Sequence, residues 1–402
     1  MRFGMITTFY PPFSYGGDAT YVRNLARGLV ARGHDVEVIA STEAYLVRSK
    51  DDGLVDTTAD DGVIVHRLRH RAGLVAPLLS QQTGMPALHG PALKHFLARP
   101  FDVLHFHNIS LMGGPGVLRM GQARARILSL HDHWLVCPTH VFWKNRSRAC
   151  DRRTCFSCSI RSGLPPQLWR YTSLRDRCLA HLDRLLAPSH FTAALHRTCG
   201  IERAIHVLPL FSSLEQNTPA ETKNVDSRTI LFVGRVTALK GIANLVRLVA
   251  GMPDINLTVI GDGDLRTELS TAYQAHSNIC FLGKIDQERL ADHYASAAAL
   301  VFPSLVPETF GLSIVEAAAC GTPSIVVRSS GGAAELVEST GGGLLYEGDE
   351  ELTGAIRRLT ADRALRDELG ARARTGYRAH YTAEGHITAY LSQVDEILQD
   401  RG

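Results

Sequence analysis

The sequence predicts an α/β protein made of two doubly wound parallel-sheet domains that face each other across a cleft. The chain has 402 residues, more than one hydrophobic core usually supports. Short, continuously apolar runs of strand length alternate with helical segments in both halves of the chain. A polar, irregular stretch near residues 212–227 separates the two halves and predicts the domain boundary.

The first half has the strand and helix rhythm of a parallel sheet. Its predicted strands are Phe3–Thr7, Val36–Ala40, Val63–Leu68, Val103–His107 and Ile127–Leu130. Between the first two strands, apolar residues of helical period predict a helix that Asp18 caps and Gly33 ends. The crossover between these strands is expected to be right-handed.

The second half repeats this rhythm. Its predicted strands are Thr229–Val233, Leu257–Ile260, Ile279–Leu282, Leu300–Phe302 and Ser324–Val327. We therefore place the domains at residues 1–210 and 211–380, and expect the helical segment 381–402 to pack back on the first domain. Ligands of such sheets bind at the carboxyl ends of the strands.

Two acids flank a glycine-containing turn in the second half. Glu308 lies in a loop, and Glu316 lies in a predicted helix over Leu312–Cys320. The free amides at the helix start favour an anion, so the arrangement suits a ligand with phosphate and hydroxyl groups, such as a sugar nucleotide. The alternative is a helix cap at Glu308 and a solvated Glu316. The apolar neighbours of Glu316 favour a ligand or a dedicated hydrogen-bond donor instead.

A loop with two cations follows the first strand of the second half. Arg235 and Lys240 lie between Gly234 and Gly241, and a guanidinium and an ammonium in such a loop could clamp a diphosphate. Ordinary surface cations are the alternative for this segment taken alone.

Histidines are frequent at the strand ends of the first half. His105 and His107 alternate onto one face of their predicted strand, while His131 and Asp132 end the next one. A histidine at such a strand end could orient a ligand and carry a proton, and His131 with Asp132 are acceptor-side candidates. A hydrogen-bonded core histidine is the alternative, and it is the favoured interpretation of His105.

Four cysteines lie within 22 residues, and two of them have the spacing of a zinc ligand pair. They are Cys137, Cys150, Cys155 and Cys158, in a Cys-rich insertion at about residues 137–160. Four thiols in a polar segment with little core of its own predict a structural zinc, with free cysteines as the alternative.

Charge and composition exclude some classes of protein. The net charge of +3 does not favour nucleic acid as a partner, and the apolar and charged fractions are those of a globular protein. The chain has neither a membrane-spanning apolar run nor a signal-peptide core, so we expect a cytoplasmic protein. Residues 144–184 hold ten Lys or Arg against three Asp. A solvated basic face is the first interpretation, and peripheral contact with the inner face of a membrane is the alternative.

Taken together, the motifs resemble those of the retaining GT-B glycosyltransferases of family 4. The resemblance rests on Gly16-Gly17, on Gly234-Arg235 with Lys240-Gly241, on Gly261-Asp262-Gly263, and on Glu308 and Glu316. It spans nearly the whole chain, with the motifs in order. It implies two Rossmann-like domains and a hexosyltransferase-type reaction that moves a sugar from a nucleotide-diphosphate donor to a sugar, lipid-linked or natural-product acceptor, with the anomeric configuration retained.

The resemblance also implies roles for individual residues. Arg235 and Lys240 would hold the diphosphate, Glu316 the ribose, and Glu308 the donor sugar, with His107 as the histidine near the reacting groups. The implied donor contacts from the backbone come from Gly16 and Gly17, from the turn at Gly283 to Ile285, and from Phe310, Gly311 and Leu312. No divalent metal is required by this scheme, since cations and a helix start meet the leaving-group charge.

Two other functions remain open at this stage. A sugar-nucleotide epimerase on the same architecture would bind the same donor but would need paired acids or bases in the first domain, where histidines dominate. A non-catalytic sugar-nucleotide sensor would keep the binding residues without turnover.

Overall fold

The computed structural model describes residues 1–14, 16–46, 59–214 and 225–401, apart from the side chains of Gln287 and Glu288. These residues form two compact units, one of Met1–Leu208 with His386–Gly402 and one of Pro209–Gly385. Each unit contains a parallel sheet with helices, so the predicted class of two parallel-sheet α/β domains is confirmed. Within the predicted boundary, residues 215–224 lie outside the described residues.

The sheet of the first unit has eight strands in the described ranges, in the order β10-β9-β6-β5-β1-β2-β4-β3. The strands are β1 Arg2–Ile6, β2 Asp35–Ser41, β3 Ala59–Asp60, β4 Val63–Leu68, β5 Val103–Phe106, β6 Ala125–Ser129, β9 Arg184–Ala187 and β10 Ile205–Val207. Its pairs are parallel except for β3 with β4. A separate hairpin is formed by β7 Trp143–Lys144 and β8 Arg148–Ala149.

Helices of the first unit connect these strands, as parallel pairing requires. They are α1 Gly17–Ala31, α2 Thr42–Leu46, α3 Val75–Thr83, α4 Gly90–Leu97, α5 Cys155–Arg161, α6 Leu174–Leu179, α7 His190–Thr198 and α15 Ala383–Asp400, with 3-10 turns at Ala87–His89, Pro115–Arg119 and Leu168–Tyr171. The predicted cap by Asp18 is wrong. The chain turns at Gly16, whose φ is 88°, and Asp18 already lies in the first helical turn, where it accepts from Asn108 Nδ2 at 3.3 Å.

The sheet of the second unit is parallel throughout, in the order β13-β12-β11-β14-β15-β16. Its strands are β11 Asp226–Val233, β12 Asn256–Ile260, β13 Ile279–Gly283, β14 Ala297–Phe302, β15 Ser324–Val327 and β16 Gly343–Tyr346. Its helices are α8 Ile242–Ala250, α9 Arg266–Ala272, α10 Gln287–Ser296, α11 Leu312–Ala319, α12 Gly332–Thr340, α13 Gly348–Ala361 and α14 Arg363–His380, with 3-10 turns at Ala238–Lys240 and Arg328–Ser330.

Strands β9, β10 and β16 were not predicted, because their sequences carry weak strand signals. β9 opens on a charged residue, Arg184, whose guanidinium is nevertheless buried. Its Nη1 donates to Glu396 at 2.7 Å and to the side chain of Gln393 at 2.6 Å, both on α15. A charge is therefore tolerated in the sheet because the C-terminal helix provides its acceptors.

Helix α15 packs within the first unit through one apolar stripe. Its buried residues include Ile387, Tyr390, Val394 and Ile397, spaced three and four residues apart. Ile387 fits against Gly28 of α1, where an added Cβ would lie 2.2 Å from its Cδ1. In the described ranges, no helix combines the length and the apolar composition that crossing a bilayer requires.

We predict that Gly261→Ala destabilises the second unit much more than Gly348→Ala. Both glycines have positive φ, but a Cβ at Gly261 would lie 1.9 Å from the Gly234 carbonyl oxygen, whereas nothing lies within 4 Å of one at Gly348. The unfolding free energy, measured by urea titration, should fall by about 1 kcal/mol for Gly348→Ala and by at least about 3 kcal/mol for Gly261→Ala. Equal losses would show that backbone crowding at the β12 end is absent.

Candidate functional site

Four loops of the second unit meet at the carboxyl ends of neighbouring strands. The loop after β11 bonds to the β12 end through Gly234 N to Ile260 O at 3.0 Å, and the loop after β12 bonds to the β13 end through Gly261 N to Gly283 O at 2.8 Å. On the other side, Leu305 N after β14 donates to Leu239 O at 2.9 Å. The segments that carry Arg235, Lys240, Glu308 and the turn at Gly283 to Ile285 are thereby brought to one edge of the sheet.

An ion pair joins the loops after β11 and β14. Lys240 Nζ donates to Glu308 Oε1 at 2.6 Å, and the Ser304 hydroxyl donates to the same oxygen. Burial opposes the charged form of Glu308, but the ammonium and its hydrogen bond, the Ser304 hydroxyl and the charge of Arg235 together hold the pKa of Glu308 below its ordinary value. The two side chains keep 20% and 18% of their surface exposed, so a ligand has access to both.

Arg235 and Lys240 present different cations to this edge. Arg235 is exposed and acts on Glu308 through its charge, without a direct hydrogen bond between them in the described structure. The Lys240 ammonium also lies 5.5 Å from the ring centroid of Phe302. One carboxylate contact uses a single donor of an ammonium that has three, so Lys240 can contact a second anion without leaving Glu308.

Helix α11 begins beside this pair. Its N-cap is Gly311, a residue with no side chain to bond the first amides of the helix. The loop that contains Glu308 is fixed to the start of α12, with Glu308 N donating to Ser330 O at 2.8 Å and Gly332 N donating to Glu308 O at 2.9 Å. The Glu308 carboxylate accepts from Lys240 and Ser304, which are bonds other than the helix cap that was the alternative interpretation. Phe310 and Gly311 are buried, and Leu312 is partly buried.

Glu316 is not on a solvated face. It lies one turn into α11, and the buried Tyr294 hydroxyl on α10 donates to its Oε2 at 2.7 Å. Burial raises the pKa of Glu316 to about 7, and the Tyr294 hydrogen bond offsets part of that rise. Tyr294 is the dedicated donor that the apolar helix required, and Thr322 Oγ1 fixes it by donating to the Tyr294 carbonyl at 2.6 Å.

The first unit gathers three histidines at the carboxyl ends of β5 and β6. His107 Nδ1 and His131 Nε2 are 2.9 Å apart, and the rings of His105 and His107 are separated by 3.8 Å between centroids. His105 and His107 are buried, and His131 is half-buried. Burial, followed by the neighbouring imidazoles, lowers the pKa of His107 well below its ordinary value. Burial likewise lowers the pKa of His131 to about 4, with Asp132 opposing the shift. Both shifts favour the neutral imidazoles, of which one donates the hydrogen bond between Nδ1 and Nε2 and the other accepts it.

Helix α15 holds this histidine cluster from behind. The Tyr390 hydroxyl is 3.0 Å from His105 Nδ1, and the other nitrogen of that imidazole is 2.9 Å from Ser129 Oγ. His386 Nε2 bonds to the Tyr21 hydroxyl at 2.9 Å, and the Tyr21 ring lies 5.2 Å from the His131 ring. His105 is therefore a hydrogen-bonded core residue, which confirms the favoured interpretation from the sequence.

His107 and His131 line a small pocket together with Asp132. His107 Nε2 is buried and has no hydrogen-bond partner among the described residues, which leaves it available to a ligand. Asp132 is engaged, since Oδ1 accepts from Trp134 N and Oδ2 is 2.8 Å from His140 Nδ1. Burial opposes its charge, but His140 and the Trp134 amide keep the pKa of Asp132 below its ordinary value. At the β1 end of the same sheet, Gly16 and Gly17 are exposed.

The structure does not support the predicted zinc site. In the described ranges, no group of three or more His, Cys, Asp or Glu side chains is arranged to hold a metal ion. The sulfurs have separate neighbours: Cys137 Sγ is 3.3 Å from Thr139 Oγ1, Cys158 Sγ accepts from Asn145 N at 3.4 Å, and Cys150 Sγ faces Arg152 O. Cys155 lies at the start of α5. Burial, followed by the charges of Cys137, Cys155 and Cys158, raises the pKa of Cys150, so the four thiols lie near one another.

The premise behind that prediction, a segment without its own core, is wrong. Trp134, Val136, Cys137 and Phe142 belong to the main core cluster of the first unit, and Trp169 packs with them. The Lys144 ammonium donates to Asp151 at 2.8 Å across the hairpin. Ordinary packing and an ion pair therefore stabilise the insertion.

The residues that hydrogen-bond to the candidate side chains and to His105 were not predicted from the sequence. Ser304, Tyr294 and Tyr390 lie 4, 22 and 285 residues away in sequence from the partners they contact. A serine two residues after a predicted strand was a usable signal for Ser304. The chain offers no local pattern that pairs either tyrosine with its partner.

Both halves of the chain match models of known glycosyltransferase families. The model of Glycosyltransferase Family 4 matches residues 15–216, and that of Glycosyl transferases group 1 matches residues 214–376. The chain is 30% identical over 422 residues to a phosphatidyl-myo-inositol mannosyltransferase of Mycolicibacterium smegmatis, with 100% of this chain and 95% of that protein covered.

Solved structures share the fold at lower identity. Sucrose-phosphate synthase from Thermosynechococcus elongatus superposes with a TM-score of 0.76 at 22% identity, covering 100% of both chains. Anabaena HepE in complex with UDP-glucose superposes with a TM-score of 0.66 at 17% identity, again over 100% of both chains. These likenesses establish the GT-B arrangement of the fold.

We predict that Glu316→Gln changes the pH dependence of stability. The raised pKa means that folded Glu316 keeps its proton while the unfolded chain loses it, so wild-type stability falls as pH rises from about 4.5 to 7. The unfolding free energy of Glu316→Gln minus that of wild type, measured by urea titration, should therefore rise by roughly 2 kcal/mol from pH 5 to pH 8. Glu308→Gln is the matched control, because its lowered pKa confines any change to pH values below about 4.5. A constant difference for Glu316→Gln would mean that the carboxyl is not held neutral.

We also predict that Tyr390→Phe costs about 1–3 kcal/mol, because it leaves the buried His105 Nδ1 without its partner. Tyr171→Phe is the control, since that ring is 57% exposed and should cost at most about 0.5 kcal/mol. Urea unfolding at pH 8 measures both variants. Equal effects would show that the bond between α15 and His105 contributes nothing to stability.

Proposed function

The chain belongs to glycosyltransferase family 4, and we propose that it moves a hexose from a nucleoside-diphosphate donor to an acceptor hydroxyl with retention of anomeric configuration. One observation carries this proposal. The Lys240–Glu308 ion pair, which the charge of Arg235 also reaches, includes the loop residue three positions before Gly311, the N-cap of α11. Cations, a carboxylate and free helix amides at one place are what a ligand with a diphosphate and a sugar needs.

The diphosphate is assigned to Arg235, Lys240 and the amides of Gly311 and Leu312. As the bond between sugar and phosphate breaks, negative charge grows on the leaving diphosphate. Fixed cations and amides that need no rearrangement stabilise this charge most effectively. Because Glu308 already holds Lys240, the ammonium is in position before the donor arrives.

The hydroxyl groups of the donor are assigned to the two acids. Glu308 stays ionised next to Lys240 and accepts from hydroxyls of the transferred sugar. Glu316 accepts from the ribose, and the Tyr294 hydroxyl on its other side restricts its orientation. The turn at Gly283 to Ile285, at the β13 end, is assigned to the base. The solved complex of Anabaena HepE with UDP-glucose, a protein of the same fold, supports a nucleotide sugar as the donor.

The acceptor is assigned to the first unit. His107, with its buried Nε2 available, orients the donor sugar or the attacking hydroxyl, and His131 sets its tautomer through the 2.9 Å bond. Gly16 and Gly17, which are exposed at the β1 end of this sheet, are assigned to the approach of a ligand phosphate to the backbone. Asp132 is less suited to contact the acceptor, since both carboxylate oxygens are engaged. The relative from Mycolicibacterium smegmatis is named for a phosphatidyl-myo-inositol acceptor, which supports a polyol or sugar hydroxyl.

We predict that Lys240→Ala lowers kcat/KM for transfer by about 10²-fold and Arg235→Ala by about tenfold or more, since each removes a cation from the leaving group. The donor is first identified by thermal-shift screening of UDP-, GDP-, ADP- and dTDP-hexoses, and rates are then measured by nucleotide release. Arg363→Ala is the control, because that side chain is 85% exposed in the second unit. Unchanged rates in Lys240→Ala would refute the assignment.

Two further readouts separate this reaction from its competitors. Proton NMR of the product should show the anomeric configuration of the donor, and an inverted product would refute retention. Incubation of the donor without acceptor should leave its sugar unisomerised, because an isomerised sugar is the signature of an epimerase. Binding without release of nucleotide would indicate a sensor.

A further inference from the structure

Exposed large apolar side chains are concentrated in two segments of the first unit. Of the twelve such residues in the described ranges, nine belong to these segments. The first segment contributes Leu74, Val75, Leu78, Leu79 and Met85, with exposures of 38–52%. The second contributes Phe156, Ile160, Leu168 and Tyr171, with exposures of 50–65%. We call these nine side chains the apolar face.

The two segments pack against each other. The Trp169 indole N–H donates to Gln81 O at 3.0 Å, which ties the 3-10 turn Leu168–Tyr171 to α3. The same indole fits against Gly84, where an added Cβ would lie 2.8 Å from its Cγ. The rings of Phe156 and Tyr171 lie 6.3 Å apart, which adds α5 to the surface.

Helix α3 is apolar on the side where a surface helix of a soluble domain is normally polar. Val75, Leu78 and Leu79 share its exposed side, while Ala76 and Ser80 are buried. No Asp, Glu, Lys or Arg occurs from residue 72 to residue 93. An apolar surface of this extent marks a binding surface.

Cations without ion pairs border the apolar face. The acids that flank the second segment in sequence already form ion pairs. Asp151 pairs with Lys144 and Arg148, and Asp176 pairs with Arg175. Arg146, Arg152, Arg161 and Arg177 are exposed and form no ion pair in the described part of the chain. Apolar side chains bordered by unpaired arginines match a bilayer surface, where anionic headgroups cover an acyl layer.

The apolar face belongs to the same part of the sheet as the histidines. The chain leaves the carboxyl end of β4 to form α3, and it leaves the carboxyl end of β6 to form the hairpin and α5. β4 and β6 run parallel to β5 in one sheet, so these connections start at the edge where His107 and His131 lie.

We propose that the first unit binds reversibly to an anionic lipid bilayer through the apolar face and its bordering arginines. The aliphatic and aromatic side chains enter the headgroup boundary, and Arg146, Arg152, Arg161 and Arg177 contact lipid phosphates. Removing charged lipid or screening it with salt weakens the electrostatic part, whereas the apolar part depends on Leu78 and its neighbours. The apolar face and its arginines share no residue with the assigned donor and acceptor sites, so bilayer binding does not depend on the transfer reaction.

Vesicle co-sedimentation of the full chain tests the proposal. Wild type should bind vesicles of phosphatidylcholine with phosphatidylglycerol, and bind phosphatidylcholine alone at least about tenfold more weakly. Leu78→Glu and, separately, Leu168→Glu should each weaken binding by about tenfold or more. Arg152→Glu with Arg161→Glu should weaken it by about fivefold or more for each lost cation. Circular dichroism of each variant confirms folding.

Matched controls place the same substitutions elsewhere. Leu282→Glu and Arg363→Glu alter exposed residues of the second unit and should bind as wild type does. Equal binding of Leu78→Glu and Leu282→Glu would overturn the proposal, as would equal wild-type binding to both kinds of vesicle. Sedimentation velocity tests the alternative that a second copy of the chain binds the apolar face. The proposal would also be overturned if wild type were a dimer and Leu78→Glu made it a monomer without weakening vesicle binding.

Discussion

The ion pair between Lys240 and Glu308 is the interaction on which the second unit's site depends. Its members are 68 residues apart in sequence and meet because β11 and β14 are neighbours in a parallel sheet. A buried carboxylate requires compensation, and the ammonium together with the Ser304 hydroxyl provides it. These side-chain bonds, with the backbone bonds of Glu308 to Ser330 and Gly332, connect the loop that leads into α11 to the loop after β11 and to the start of α12.

The two acids show how environment, rather than residue type, sets charge. Glu308 has an ammonium partner, and its pKa lies below the ordinary value. Glu316, eight positions later, has a phenol partner, and burial raises its pKa to about 7. Two carboxyl groups on one loop and helix are therefore suited to different tasks, one as a permanent anion and one as a group whose charge depends on its surroundings.

In the first unit, the clustered side chains are histidines, which can be buried together when they are neutral. Three imidazoles packed together would repel one another if charged, and burial keeps His107 and His131 neutral. Their orientation then depends on hydrogen bonds, and helix α15 contributes to these through Tyr390 and His386. The last helix of the chain thus completes the interior of the unit in which the chain begins.

The sequence by itself determined the α/β class, most strand positions and the candidate side chains, because apolar periodicity and glycine turns are local signals. It identified Glu308, Glu316, Arg235 and Lys240 because cations and acids at strand ends stand out in an apolar context. The tertiary structure alone decided which groups meet. Tyr294 faces Glu316 and Tyr390 faces His105 through packing of helices distant in sequence, which no local pattern encodes. The cysteines illustrate the same limit, since their spacing suggested a metal, whereas the described residues bring no three ligand side chains into a metal-binding arrangement.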